Sequence, residues 1–137
     1  MWKAGRGKEI TVTDAWPTEI KIHKDRRALT IAFEDGASFT LPAEYLRVES
    51  PSAEVQGHSP ADRQLVAGKR EVRVDEAIPV GNYAVRLIFD DGHSTGIYTW
   101  DTFHQLGREQ EERWTRYLQE LASRNLSRDA AGAVRRH

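Results

Sequence analysis

The candidate metal-ligating and ligand-binding residues of this chain are concentrated in two short segments. Residues 89–101, FDDGHSTGIYTWD, place His93 directly after a tight turn. Residues 46–58, LRVESPSAEVQGH, contain Glu54 and, four residues later, His58. If the second segment folds over the first, Glu54, His58 and His93 form a mixed oxygen and nitrogen site for a metal ion. The alternative is two independent surface histidines, with His93 bonded to a neighbouring carboxylate in a purely structural role.

Ser50-Pro51-Ser52, in the same segment, is a second candidate for ligand contact. Its hydroxyl and backbone N–H groups could meet an anion, although such a stretch more often forms a turn that caps itself. The adjacent carboxylates Asp90 and Asp91 would point to opposite faces of a strand, so they are a poor acid/base pair. The expected binding surface combines both segments and consists of Arg47, Ser50, Ser52, Glu54, His58, Asp91, His93 and Ser94.

The composition excludes several classes of protein. A chain of 137 residues has the size of one domain with its own core. Its net charge of −1 provides no basic field for nucleic acid, and no apolar run approaches the roughly 18 residues of a membrane span. Cysteine is absent, which excludes disulfides, thiol chemistry and zinc–thiolate sites within this chain. We therefore expect a cytoplasmic protein that binds neither nucleic acid nor a membrane.

Two segments of similar pattern predict β-hairpins. Residues 29–42 and 83–100 each contain an Asp-Gly pair between stretches in which apolar residues alternate with others. This is the strongest short-range signal of a hairpin, because the tight turn needs a positive φ. Superimposing the two segments places Ala37 at the position of His93, so the turn itself does not require a histidine. The second segment predicts one shared face for Tyr83, Val85, Leu87 and Phe89.

Further elements are predicted on either side of these hairpins. Residues 19–22 and 71–78 are typical of short strands, and residues 46–69 are predicted to form a long loop, a feature that is often functional. Asp101 is expected to cap a short helix over 102–106 that ends at Gly107. A second helix over 109–123 has an apolar stripe at helical spacing, formed by Trp114, Tyr117, Leu118 and Leu121.

These elements together predict an α+β fold with a mainly antiparallel, twisted sheet of five or more strands. The C-terminal helix is expected to pack on one face of this sheet, with Trp114, Leu118 and Leu121 facing Val85, Leu87 and Phe89. The predicted domain spans residues 10–124, preceded by a flexible arm over 1–9 and followed by a flexible basic tail over 125–137.

The motifs together resemble a known family. LTIAFEDGASFTLPAEYLRVESPSAEVQGH, PVGNYAVRLIFDDGHSTGIYTWDTFHQLG and the closing W–YL–L helix are similar, in order and over about residues 17–121, to the N-terminal domain of gamma-butyrobetaine hydroxylase. The same domain occurs as a small stand-alone bacterial protein, DUF971. The resemblance therefore implies a stand-alone bacterial member of this family.

The resemblance also implies where a zinc site would lie. In the hydroxylases, three cysteines of an LRDxCPCxxC-like stretch and one histidine bind structural zinc. The cysteine positions match Ser50, Ser52 and Val55, and the histidine matches His93. Neutral hydroxyls are poor zinc ligands and valine is none, so the family's zinc is expected to be lost and no cofactor is expected. The resemblance further implies that hydrogen bonds between the loop and the turn take over the role of the metal.

The expected function follows from these observations. No catalytic motif is found in the sequence, and the oxygenase domain of the hydroxylases has no counterpart in it, so the prediction is a non-enzymatic binding or adaptor module. Its expected partner is a protein, with a redox or metal-handling protein as the specific hypothesis. The alternative is a metal- or small-ligand-binding protein that uses His93 with His58 or Glu54.

Overall fold

The computed structural model of the protein describes residues 15–57 and 63–130. The predicted arm over residues 1–9 and the candidate ligand His58 lie outside these ranges. None of the helices in the described ranges is long and apolar enough to cross a membrane.

In the part of the chain that the structure describes, six strands form two antiparallel sheets of three strands each. This confirms the predicted α+β class, although the strands that were predicted to form one sheet are divided between two. In each sheet the middle strand is the second in chain order. The first sheet contains β1 (Pro17–Ile22), β2 (Ala28–Phe33) and β3 (Ser38–Pro42), and the second contains β4 (Val74–Val80), β5 (Ala84–Phe89) and β6 (Ile97–Thr99).

Both predicted Asp-Gly turns are present. Gly36 joins β2 to β3 and Gly92 follows β5, with φ values of 94° and 93°. Only glycine adopts such values without strain, which explains why the two hairpins share this pair. The central strands β2 and β5 present alternate residues to one buried cluster, as their sequence pattern predicts. Tyr83 is an exception and is 52% exposed, because it lies in the turn before β5 begins at Ala84.

The segment predicted as a long loop, residues 46–69, includes the end of one short helix and the whole of another, which corrects that prediction. Helix α1 (Ala43–Val48) follows β3 directly, and α2 (Ala53–Gln56) begins after Ser52. The side chain of Ser52 caps α2 by accepting a hydrogen bond from the backbone N–H of Glu54. Four of the six residues of α1 are buried apolar residues, so packing rather than a long periodic pattern holds this helix.

The next helix, α3 (Trp100–Arg108), is longer than predicted at both ends. Thr99 caps it through its side chain, in place of Asp101, and accepts a hydrogen bond from the backbone N–H of Thr102 at 3.1 Å. Gly107 was predicted to end the helix but lies inside it. A Cβ atom at Gly107 would come within 2.3 Å of the Phe39 ring, so the glycine permits close approach of β3 to α3.

The last helix, α4 (Gln110–Ser123), buries a narrower face than predicted. Tyr117 and Leu121 are buried with Val48 of α1, and Trp114 packs against this cluster and the main core. Leu118 is 40% exposed, so the prediction that it faces the sheet was wrong. The helix packs against α1 and the segment from Leu65 to Ala67. Leu118 does not belong to this narrow contact.

The chain after α4 remains attached to the domain as far as the structure describes it. Residues 125–130 belong to the segment that was predicted as a flexible tail. The backbone N–H of Gly68 donates to the carbonyl oxygen of Ser127, and that of Arg70 donates to the carbonyl oxygen of Arg128. Ordered contacts therefore continue beyond the predicted domain end at residue 124.

A hydrogen-bonded junction between the 50–55 loop and the 91–95 turn as the candidate site

The structure brings the two candidate segments into direct contact. Ser50 follows α1 and His93 follows the turn after β5, and the Oγ atom of Ser50 lies 3.0 Å from Nε2 of His93. Ser50 is fully buried and His93 is 7% exposed. A buried contact of this kind replaces water at both groups, so each depends on the other for its hydrogen bond.

The second ring nitrogen of His93 indicates how the proton is placed. Nδ1 lies 3.3 Å from the Oε1 atom of Glu54, whose side chain is 65% exposed. A carboxylate can only accept, so Nδ1 of the neutral ring carries the proton and Nε2 accepts from the Ser50 hydroxyl. The Ser50 oxygen in turn accepts from the backbone N–H of Ser52 at 3.2 Å.

The environment of His93 favours the neutral ring. Burial lowers the pKa of His93, and the nearby positive charge of Arg47 lowers it further, while Glu54 and Asp91 act in the opposite direction. The lowering effects prevail, so the pKa lies below its ordinary value of 6.5. A neutral ring fits the hydrogen bonding described above.

A second contact joins the loop to the turn. The Oγ atoms of Ser52 and Thr95 are 2.7 Å apart. Because Ser52 also caps α2, the same hydroxyl fixes both the start of that helix and its position against the turn. Thr95 was not among the predicted site residues. Its only signal in the sequence is a hydroxyl side chain two positions after His93.

Ion pairs close the junction on the side of Arg47. The Oδ2 atom of Asp91 accepts from Nε of Arg47 at 2.8 Å and from Nζ of Lys69 at 2.6 Å. Burial alone would raise the pKa of Asp91, but the hydrogen bonds from Lys69, the backbone of His93 and Arg47 lower it to about 2. Lys69 could not be predicted from the sequence, because it lies 22 residues from Asp91 in a segment without a motif.

The two remaining predicted site residues contribute differently. Ser94 participates through its backbone, since its carbonyl oxygen accepts from Nη1 of Arg86 at 3.0 Å. Val55 is buried, and its backbone carbonyl accepts from the N–H of Gln64 at 2.7 Å. The structure thus places the described members of the predicted surface in one neighbourhood, but Ser50, Ser52 and His93 lie in its interior.

The side chains at this junction do not provide the donor set of a zinc–thiolate site. Ser50 and Ser52 bring neutral hydroxyls that are already engaged in hydrogen bonds, and Val55 brings no donor. The space is also closely filled, because a Cβ atom at Gly96 would lie 2.5 Å from the Oγ atom of Ser50. Within the described ranges, no group of three or more His, Cys, Asp or Glu side chains is arranged to hold a metal ion.

Comparisons with known proteins support the resemblance found in the sequence. The family model described as "Gamma-butyrobetaine hydroxylase-like, N-terminal" matches residues 20–104. No curated protein matches the chain.

Solved structures are similar over most of the chain. Two solution NMR structures have 44% and 42% sequence identity and TM-scores of 0.74 and 0.75; they cover 90% and 94% of this chain, and 97% and 98% of their own. A crystal structure at 1.93 Å of a DUF971 protein of unknown function from Acidithiobacillus ferrooxidans ATCC 23270 has 42% identity and a TM-score of 0.56. It covers 66% of this chain and 91% of its own. The match to the family model and this identity over nearly the whole length establish that the chain belongs to the gamma-butyrobetaine hydroxylase-like N-terminal family, DUF971.

Proposed function

We propose that this protein is a non-enzymatic binding module, an adaptor that recruits another protein through the surface built by residues 47–57 and the 91–95 turn. A redox or metal-handling protein is the proposed kind of partner, and the cytoplasm is the proposed setting. Neither nucleic acid nor a membrane is part of the proposal.

The observation that carries this proposal is the buried contact between Ser50 and His93. It joins two segments that are distant in the sequence, and both of its side chains are buried. A loop fixed in this way does not have to be ordered when a partner arrives, so less conformational entropy is lost on binding. The junction therefore supports a preformed recognition surface.

The exposed rim of the junction is the part that a partner would meet. Ala53, Glu54 and Thr95 are exposed, whereas the residues beneath them are buried. Glu54 is the charged residue of this rim, and its contact with His93 holds it above the junction. On this proposal the buried hydroxyls and the imidazole position the rim, and no zinc is needed between them.

A capture experiment with surface variants tests the proposed function. The tagged protein is used to recover partners from cells after crosslinking, in parallel with Glu54→Arg and with the matched control Glu19→Arg on β1, where the side chain is also exposed. We expect a partner to be recovered at least tenfold less by Glu54→Arg and equally by Glu19→Arg. Recovery of nothing beyond the tag control, or equal recovery by both variants, would contradict the proposal.

A metal- or small-ligand-binding function is the second candidate, and the distance of 3.3 Å between Glu54 and His93 is the observation that favours it. Such a site would use His93 and Glu54 with His58. It requires Nδ1 of His93 to exchange its proton for a metal ion. The test is elemental analysis of protein purified without a histidine tag. Near-stoichiometric metal that is lost in His93→Ala would support metal binding over the adaptor function.

A further inference from the structure

A second polar contact lies at the other end of α1 and does not belong to the junction. Glu44, in the first turn of α1, is buried to all but 6%. Both of its oxygens accept hydrogen bonds from Arg128: Nε donates to Oε2 at 2.9 Å and Nη2 to Oε1 at 2.7 Å. This paired geometry matches the planar guanidinium group, and a lysine could not reproduce it.

An aromatic ring also contacts the guanidinium group. The Cζ atom of Arg128 lies 5.2 Å from the centroid of the Trp114 ring, within the range of a cation–π contact. Trp114 is itself held between Tyr45 at 6.3 Å and Tyr117 at 5.1 Å. A buried carboxylate beside a fixed indole face is a recognition site for an arginine side chain. We refer to Glu44 and Trp114 as the guanidinium clamp.

The clamp opens into a groove that Arg128 does not fill. The groove has a volume of about 630 Å³ and runs between α1, the end of α3 and the first half of α4. Its apolar parts come from Pro42, Tyr45 and Trp114, and Gln110 and Glu111 belong to its polar lining. Such a groove has room for residues on either side of an arginine in an extended segment.

Arg128 reaches the clamp from a weakly anchored part of the chain. After α4 ends at Ser123, residues 124–127 are exposed, and Leu126 remains 43% exposed. The two backbone hydrogen bonds to Gly68 and Arg70, and the ion pair between Arg70 and Asp129, are polar contacts. A segment with so little buried apolar surface has a low free energy of local opening.

We propose that the groove is a docking site for an extended segment of a partner protein, and that an arginine of this segment displaces Arg128 from the guanidinium clamp. Charge complementarity selects this occupant: once Arg128 has left, the lining carries the carboxylates of Glu44 and Glu111 against the single cation of Arg108, and the buried Glu44 lacks a partner. In the free protein, Arg128 keeps Glu44 paired and covers Trp114. The proposal deepens the binding function above by adding a second surface with its own chemistry, and it rests on the protein being a binding module.

The test uses the full chain carrying Arg128→Ala and two blocked pentapeptides of alanine, one with a central arginine and one with a central lysine. Binding is measured by calorimetry and by the indole N–H signal of Trp114 in NMR spectra, assigned with Trp114→Phe. We expect Arg128→Ala to bind the arginine peptide at least tenfold more tightly than the unmodified protein does, because the internal competitor is gone. It should prefer the arginine over the lysine peptide by at least tenfold, and adding Glu44→Gln should abolish binding.

Either of two results with Arg128→Ala would overturn the proposal. One is a folded Arg128→Ala protein that binds neither peptide, and the other is binding that Glu44→Gln leaves unchanged. If Arg128→Ala does not fold, the same titrations are carried out on Arg128→Lys and on the unmodified protein. The absence of an arginine-specific change at Trp114 in both would assign the contact to structure alone. Partner capture that is lost in Glu54→Arg but retained in Glu44→Gln would reject the groove and leave the proposed function intact.

Discussion

The Oγ atom of Ser50 lies 3.0 Å from Nε2 of His93, although the two residues are 43 positions apart. Both are buried, and the ring nitrogen on the other side of His93 faces Glu54. In the resemblance to the hydroxylase domains, these two positions correspond to two ligands of one zinc ion. Here a hydroxyl and an imidazole bond to each other directly, and this contact joins the loop to the turn.

Removing the hydroxyl at Ser50 should destabilise the protein. In Ser50→Ala the buried Nε2 atom of His93 loses its partner, which costs about 1–3 kcal/mol. Ser38→Ala serves as the control, since Ser38 is exposed on β3 and should change the free energy of unfolding by less than about 0.5 kcal/mol. Urea denaturation of the three proteins measures the difference. Equal midpoints would mean that the Ser50–His93 contact contributes nothing to stability.

The lowered pKa of His93 predicts a loss of stability on mild acidification. Burial is the main cause of the shift, and the neutral ring is the form that the folded protein prefers. As the pH falls through 6.5, the unfolded chain takes up a proton that the folded chain does not, so the free energy of unfolding decreases. This decrease ends once the pH has passed the lower pKa of the folded state. His93→Gln should remove this part of the pH dependence, and parallel stability curves for the two proteins between pH 7 and 5 would refute the assignment.

Restoring thiolates should create a metal site. Ser50→Cys, Ser52→Cys and Val55→Cys together provide three charged sulfur ligands beside His93, and we expect tight zinc binding that chelators reverse. The unmodified protein is expected to bind no stoichiometric zinc at these positions. Elemental analysis and the shift of the melting temperature on adding a chelator provide the measurements. The triple variant with His93→Ala is the control and should bind zinc more weakly, because one ligand is missing.

The orientation of α4 predicts opposite outcomes for two leucines three positions apart. Leu121 is 4% exposed and packs with Tyr117 and Val48, so Leu121→Ala should cost about 2–5 kcal/mol. Leu118 is largely exposed, and Leu118→Ala should cost less than about 0.5 kcal/mol. Thermal denaturation of the two variants compares them directly. Similar losses of stability in both variants would mean that α4 is rotated about its own axis relative to the orientation described.

Some residues of the candidate site can be predicted from the sequence, and others cannot. His93 is identifiable because the matching turn after β2 carries Ala37 in its place, and Ser50 is identifiable from the family resemblance. Lys69 and Thr95 complete the junction, but a lysine in an irregular segment and a threonine after a turn are too common to stand out. Their role arises from positions that only the folded chain brings together.

Features that depend only on neighbouring residues could be predicted from the sequence alone. Two Asp-Gly pairs between alternating segments were sufficient for the hairpins, because a turn with positive φ and a period of two are local properties. Only the folded chain shows which face of α4 is buried, why Gly107 lies within a helix against Phe39, and that Arg128 pairs with Glu44 across 84 residues. Those outcomes depend on packing between distant segments, and the free energy of such packing is not a property of any one stretch of sequence.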